Sequence, residues 1–112
     1  MGHRDFTPEE ATATLPYVER IVRDIVAAYG EWKDALERYE LAVAGVTVAT
    51  GESPEAEEMR CQVDALAARI EGLVQELTPV GCTVKGFDDG LVHFPSREGP
   101  LRWRLGEASV EG

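Results

Sequence analysis

Cysteine is scarce. Cys61 and Cys82 are the only two, and they form no C-x-x-C pair. A disulfide framework is thereby excluded as the source of stability, and the usage fits a reducing cytosol. Histidine is equally rare, at His3 and His93, with none in the segments that read as helices. The facing Glu-x-x-His pairs of bundle di-metal sites cannot be assembled, and no metal or other cofactor is expected. Basic side chains are outnumbered, 11 Lys and Arg against 21 Asp and Glu, for a formal net charge of −10. Nucleic-acid affinity depends on Lys and Arg displacing counterions, so a phosphate-backbone binder is disfavoured, and an anionic membrane surface with it. No run of 18 apolar residues occurs, and Met1-Gly2-His3-Arg4-Asp5-Phe6-Thr7 holds no apolar signal core. Neither export nor insertion is expected, which leaves the cytoplasm.

What remains is ordinary globular composition: 112 residues, 44% hydrophobic and 29% charged. The charge is uneven. Residues 1–78 hold 16 acidic against 7 basic side chains, and residues 79–112 hold 5 against 4. The first zone reads as helix (7–80) and the second as a β-meander (82–106), with no Ser/Gly-rich linker between them. One α+β domain over 1–112 is therefore expected: a short N-terminal helix, a long antiparallel helical hairpin and a C-terminal three-stranded antiparallel sheet.

Thr7-Pro8-Glu9-Glu10 combines a cap, a proline at the first helical position and a capping-box carboxylate, with Phe6 placed to staple the start. Pro16 disfavours helix in the residue before it, so this first helix should stop near Thr14 or Leu15 and a second begin. From there apolar residues recur every seven: Val18, Ile25, Trp32 and Tyr39; Ile21, Ala28, Ala35 and Ala42; Val22, Tyr29, Leu36 and Val43. That stripe, three residues wide, predicts one helix to about Ala44, passing through Gly30 and ended by Gly45. Residues 46–53 form the turn, and Ser53-Pro54-Glu55 starts a third helix, whose Met59, Val63, Leu66, Ile70, Leu73 and Leu77 follow coiled-coil spacing. Helices of about 29 and 25 residues would be about 43 and 37 Å long, whereas a compact domain of this size is roughly 34 Å across. The hairpin outruns its globule, and two helices cannot cover so wide a stripe. A homodimer through the long helices is the expected partner arrangement.

Cys82 to Phe87, Leu91 to Pro95 and Leu101 to Leu105 read as strands, joined by an Asp88-Asp89-Gly90 turn and by residues 96–99. Setting Phe87 opposite Leu91 pairs Val84 with Phe94 and Gly86 with Val92; Phe94 then meets Leu101 and Val92 meets Trp103. One face collects Val84, Val92, Phe94, Leu101, Trp103 and Leu105. The other carries Lys85 opposite His93, His93 opposite Arg102, and Phe87, Leu91 and Arg104 nearby. Lys85, Phe87, His93, Arg102 and Arg104 are thus the candidate site for a small anionic ligand or metabolite. The competing reading is a solvated sheet face whose Lys and Arg discourage edge pairing. No catalytic residue is assigned: the sequence has no phosphate loop and no nucleophile elbow, and the register leaves Asp88 and Asp89 in the turn, away from His93. The acidic runs of the helices read as solvated faces, and Cys61 as an incidental thiol.

Phe6-Thr7-x-Glu9-Glu10-Ala11 with Leu15-Pro16, then Gly81-Cys82-x-Val84-Lys85, Gly90-Leu91-Val92-x-Phe94-Pro95 and Trp103-Arg104-Leu105-Gly106-Glu107, resemble the small bacterial family called domain of unknown function 2203. The resemblance covers nearly the whole chain and implies no established activity. Two departures stand out: the family usually has Asp where His93 stands, and commonly continues past Gly-Glu into a Trp-His segment absent here. Function is therefore expected to be a noncatalytic oligomerising or protein-interaction domain, with the anion-binding sheet face as the alternative.

Overall fold

A computed structural model describes residues 5–44 and 54–111. Three helices precede three strands: α1 (Pro8–Ala13), α2 (Leu15–Ala44), α3 (Pro54–Leu77), β1 (Thr83–Gly86), β2 (Leu91–Phe94) and β3 (Leu101–Arg104). Gly45, the 46–53 turn and the Ser53 cap lie outside the described residues. The capping box at α1 is complete: Glu10 N–H donates to Thr7 Oγ1 at 3.1 Å, and Thr7 N–H donates to Glu10 Oε1 at 3.0 Å. Phe6 goes further than a staple. Its ring meets Phe94 edge-on at 5.2 Å, and its N–H donates to the Pro95 carbonyl at 2.8 Å, fastening the chain to the sheet.

On α2 the apolar stripe contains a seam at alternating spacings of four and three, from Val18 through Val22, Ile25, Tyr29, Trp32, Leu36 and Tyr39 to Val43. Val18, Val22 and Ile25 are fully buried, Tyr29, Trp32, Leu36 and Tyr39 are half-buried, and Val43 is 45% exposed. The facing row on α3 behaves alike: Leu77 and Leu73 are buried, whereas Ile70, Leu66, Val63 and Met59 are half-buried. The cause lies in what covers the hairpin. Near its base the sheet lies across the seam, and Val18, Val22 and Ile25 share one core with Val92, Phe94 and Trp103. Towards the tip, among the described residues, each helix has only the other. The molecule is accordingly long, 60 × 30 × 21 Å, with a radius of gyration of 18.3 Å against about 13 Å for a compact chain of this size. Among the described residues no helix is long and apolar enough to cross a membrane.

The sheet is antiparallel in the order β1-β2-β3. Between β2 and β3 the expected register holds, with Phe94 opposite Leu101, His93 opposite Arg102 and Val92 opposite Trp103. Between β1 and β2 it does not. Thr83 pairs with His93, Val84 with Val92 and Gly86 with Leu91, and the register shifts between Val84 and Gly86. Phe87 leaves the sheet at this point, because its ring packs 5.7 Å from Tyr29 of α2 rather than standing in solvent opposite Leu91. An aromatic ring gains more from that burial than from an exposed cross-strand contact. The connection becomes Phe87–Gly90, closed by Gly90 N–H donating to the Gly86 carbonyl at 3.1 Å, and Gly90 takes the positive φ of 71° that the sequence requires of it.

The chain also returns beyond the expected meander. Arg102 and Glu111 exchange both backbone hydrogen bonds, at 2.6 and 2.9 Å, and Val110 is buried beside them with its N–H donating to Thr12 Oγ1 at 3.1 Å. Trp103, fully buried, donates its indole N–H to the Glu107 carbonyl at 2.9 Å. The last residues thus close the core that the strands open.

Candidate functional site

Two surfaces deserve comparison: the outer face of the sheet, which the sequence singles out, and the corner where the sheet meets the hairpin. The observed register lines up Thr83, His93, Arg102 and Glu111 across the outer face, one from each successive chain segment. Lys85 sits in the irregularity of β1, exposed, and not opposite His93 as the sequence-based register had it. It is still close enough to act electrostatically. Desolvation, then the charges of Lys85 and Arg102, hold the His93 imidazole below its ordinary value, so His93 is uncharged at neutral pH.

The remaining candidates divide. Arg104 is not available as an anion donor in the way expected, because its Nε lies 3.0 Å from Asp89 Oδ2. Its backbone N–H is taken by Glu107 Oε1 at 2.8 Å. Both ends of the Arg104–Asp89 pair are about half exposed, so the pair adds at most about 1 kcal/mol of stability, but it offsets one of the three cations of the face, leaving Lys85 and Arg102. A shallow groove of about 240 Å³ runs between Leu91, Arg102, Arg104, Glu107 and Glu111. It is therefore lined by carboxylates as well as guanidinium groups. Sequence reasoning missed Glu111, which becomes a neighbour of Arg102 only when the chain returns, and Thr83, which the bulge brings opposite His93. Among the described residues no three His, Cys, Asp or Glu side chains gather into a metal-holding group.

Phe87 belongs to the second surface. Its ring, the Tyr29 ring and the Trp32 ring form a continuous series, with centroids 5.7 Å apart at each step. With Ala67 and Ile70 they line an open, almost wholly apolar hollow of about 210 Å³. Lys33 Nζ stands 5.4 Å from the centre of the Tyr29 ring, a cation–π contact beside it. The signal for this corner was present in the Tyr29 and Trp32 positions on the stripe, but the assumed strand pairing had already assigned Phe87 to the opposite face.

Residues 4–112 match the model of a family described as Uncharacterized conserved protein (DUF2203). The chain belongs to that family. The match spans both surfaces. Comparison with curated proteins and with solved structures gives no match.

Proposed function

We propose that this DUF2203 chain is a noncatalytic association module that pairs with a second copy of itself through the distal half of its hairpin. The observation that carries this reading is the burial gradient along one uninterrupted seam. Val18, Val22 and Ile25 are sealed by the sheet, while Tyr29, Trp32, Leu36 and Tyr39 continue the same row only half-buried and Val43 is exposed. Contiguous exposed apolar surface of this kind marks interaction sites in soluble proteins. A catalytic reading finds less support. His93 is flanked by Lys85 and Arg102 rather than by an orienting carboxylate, and Asp89 is engaged by Arg104.

Light scattering at micromolar concentration should give twice the chain mass of 12.3 kDa. Leu36→Glu, placed on the open seam, should return the monomer mass while the helix content stays that of the parent, since an unpaired charge in a closed apolar contact costs several kcal/mol. Ile25 would be the wrong position, because it is fully buried in the chain's own core and a charge there unfolds the monomer. A parent protein of monomer mass refutes the reading.

A second reading rests on the Lys85, His93 and Arg102 side chains, which make no ion pair among the described residues. On this reading they hold a small carboxylate or phosphate compound on the sheet face. Titration with inorganic phosphate should shift the amides of residues 83–85, 93 and 102, and the shifts should shrink as salt screens the exposed charges. Shifts elsewhere, or none, remove it.

A further inference from the structure

The return of the chain beyond β3 adds a wall to the outer face of the sheet. Glu111 exchanges both backbone hydrogen bonds with Arg102, and Val110 next to it is buried, with its N–H on Thr12. The Cα atoms of a pair bonded in this way stand about 5.5 Å apart, and their side chains leave the same face. Arg102 and Glu111 thus carry opposite charges on neighbouring segments. They nevertheless make no ion pair, with each other or with any described residue. The groove of about 240 Å³ that both of them line opens here, with Leu91 as its apolar side chain.

The remaining two lining side chains are held in place. Glu107 Oε1 accepts the Arg104 N–H at 2.8 Å, and the Glu107 carbonyl accepts the Trp103 indole N–H at 2.9 Å. The Arg104 guanidinium donates to Asp89 Oδ2 at 3.0 Å, and Asp89 Oδ1 in turn accepts the Leu91 N–H at 3.3 Å. Asp89 therefore neutralises Arg104 from outside the groove. What is left to a ligand is one guanidinium, Arg102, and two carboxylates, Glu111 and Glu107, on walls already fixed by hydrogen bonds. Little ordering has to accompany binding. A simple anion brought to Arg102 would also meet the two carboxylates, and a simple cation brought to them would meet the guanidinium. A molecule that carries both charges satisfies both sides.

We infer that this groove binds a free α-amino acid, with its carboxylate on Arg102, its ammonium on Glu111 and Glu107, and an apolar side chain against Leu91. The sizes agree. The volume lies below the range of about 300–1,000 Å³ of pockets for drug-sized ligands. In an α-amino acid the ammonium nitrogen and the carboxylate carbon are only about 2.5 Å apart, as the two bonds to Cα fix them. Such a ligand spans the gap that a direct Arg102–Glu111 ion pair would close, and a planar guanidinium takes a carboxylate through two parallel hydrogen bonds. The inference is independent of the pairing proposed above. It shares only Arg102 with the anion reading of the sheet face, since Lys85 does not line the groove.

The test is an amide-shift titration of the full chain with L-leucine, and separately with acetate, methylammonium and inorganic phosphate, at constant pH and ionic strength. Leucine should move the amides of Leu91, Arg102, Arg104, Glu107 and Glu111, and acetate or methylammonium should do so at least about tenfold more weakly, because each leaves one set of charges unmet. Arg102→Gln and Glu111→Gln, each first shown to melt like the parent, should both weaken leucine binding by about tenfold or more, and Lys85→Gln should leave it unchanged. Leucine shifts confined to residues 29, 32 and 87, or no shifts, overturn the inference. So does acetate or methylammonium binding as tightly as leucine. Phosphate shifts that Lys85→Gln abolishes, with none from leucine, would overturn it while leaving the anion reading in place.

Discussion

Replacing Gly90 with alanine probes the joint between sheet and hairpin on which the proposed association depends. Gly90 has a φ of 71°, and a Cβ built there would stand 2.7 Å from Leu105 Cβ and 3.0 Å from Val22 Cγ1. Two costs arise. A left-handed backbone costs a non-glycine residue about 1–2 kcal/mol, and forcing a methyl into a packed contact typically costs about 1–3 kcal/mol. The first of the two contacts is to a Cβ, so the backbone itself has to move. Together about 2–5 kcal/mol is expected, a large share of the 5–15 kcal/mol by which small domains are stable. Thermal melting followed by far-ultraviolet circular dichroism should show a fall in Tm of about 10–20 °C. The geometry also predicts coupling. Val22→Ala alone removes two fully buried methyl groups and costs about 2 kcal/mol, but in the Gly90→Ala background one of the lost methyls, Cγ1, is the second of the two obstructions, and its removal relieves part of the clash. The double variant should therefore be more stable than the sum of the two single losses predicts, by at least 0.5 kcal/mol or so. Additive losses, or a Gly90→Ala loss under about 1 kcal/mol, would mean that the turn does not seat on α2 and that the corner is not formed as described.

Stability should depend on pH through His93. Its folded-state pKa is lowered by desolvation and by Lys85 and Arg102, so the folded state binds the proton less readily than the unfolded chain. The full contribution is then present above the unfolded value of about 6.5 and is lost as the pH falls from there through the lower folded-state value. His93→Asp should remove that acid-side loss and place a carboxylate opposite Arg102, a gain of roughly 0.2–1 kcal/mol for that cross-strand pair at neutral pH that shrinks in high salt. A loss above 1 kcal/mol would show that the imidazole has a specific structural or chemical role. The two thiols should also separate. Burial pushes Cys82 up to about 11, against which a backbone hydrogen bond acts weakly, while Cys61 is exposed. Alkylation of the native protein at pH 8 should modify one thiol per chain, and two only after unfolding; rapid loss of both would refute the packing around Cys82.

The helices were legible because their signals are local and redundant. Thr7, Pro8 and Glu10 mark one start within four residues, and the sevenfold repeat on α2 persists over thirty residues, so no single misreading displaces it. The β2–β3 pairing was legible for a similar reason: alternation in Leu91–Phe94 and Leu101–Arg104 leaves one register that puts Val92, Phe94, Leu101 and Trp103 on one face. The β1–β2 pairing was not. Val84 and Val92 lie on the buried face in either pairing, so alternation did not distinguish the bulged register from the regular one. What decides it is Phe87, whose partner Tyr29 is 58 positions away in the sequence and invisible to any pattern read along β1. The same contact decides the candidate site. Once Phe87 turns towards the helix, the basic sheet face loses its aromatic, and the hairpin acquires an apolar step at the point where its seam is left bare. A bulge of one residue thereby takes Phe87 from the sheet's outer face to the apolar hollow at the sheet–hairpin corner. It is this position, at the end of an open seam and not on an isolated sheet, that favours association over ligand capture at the hollow.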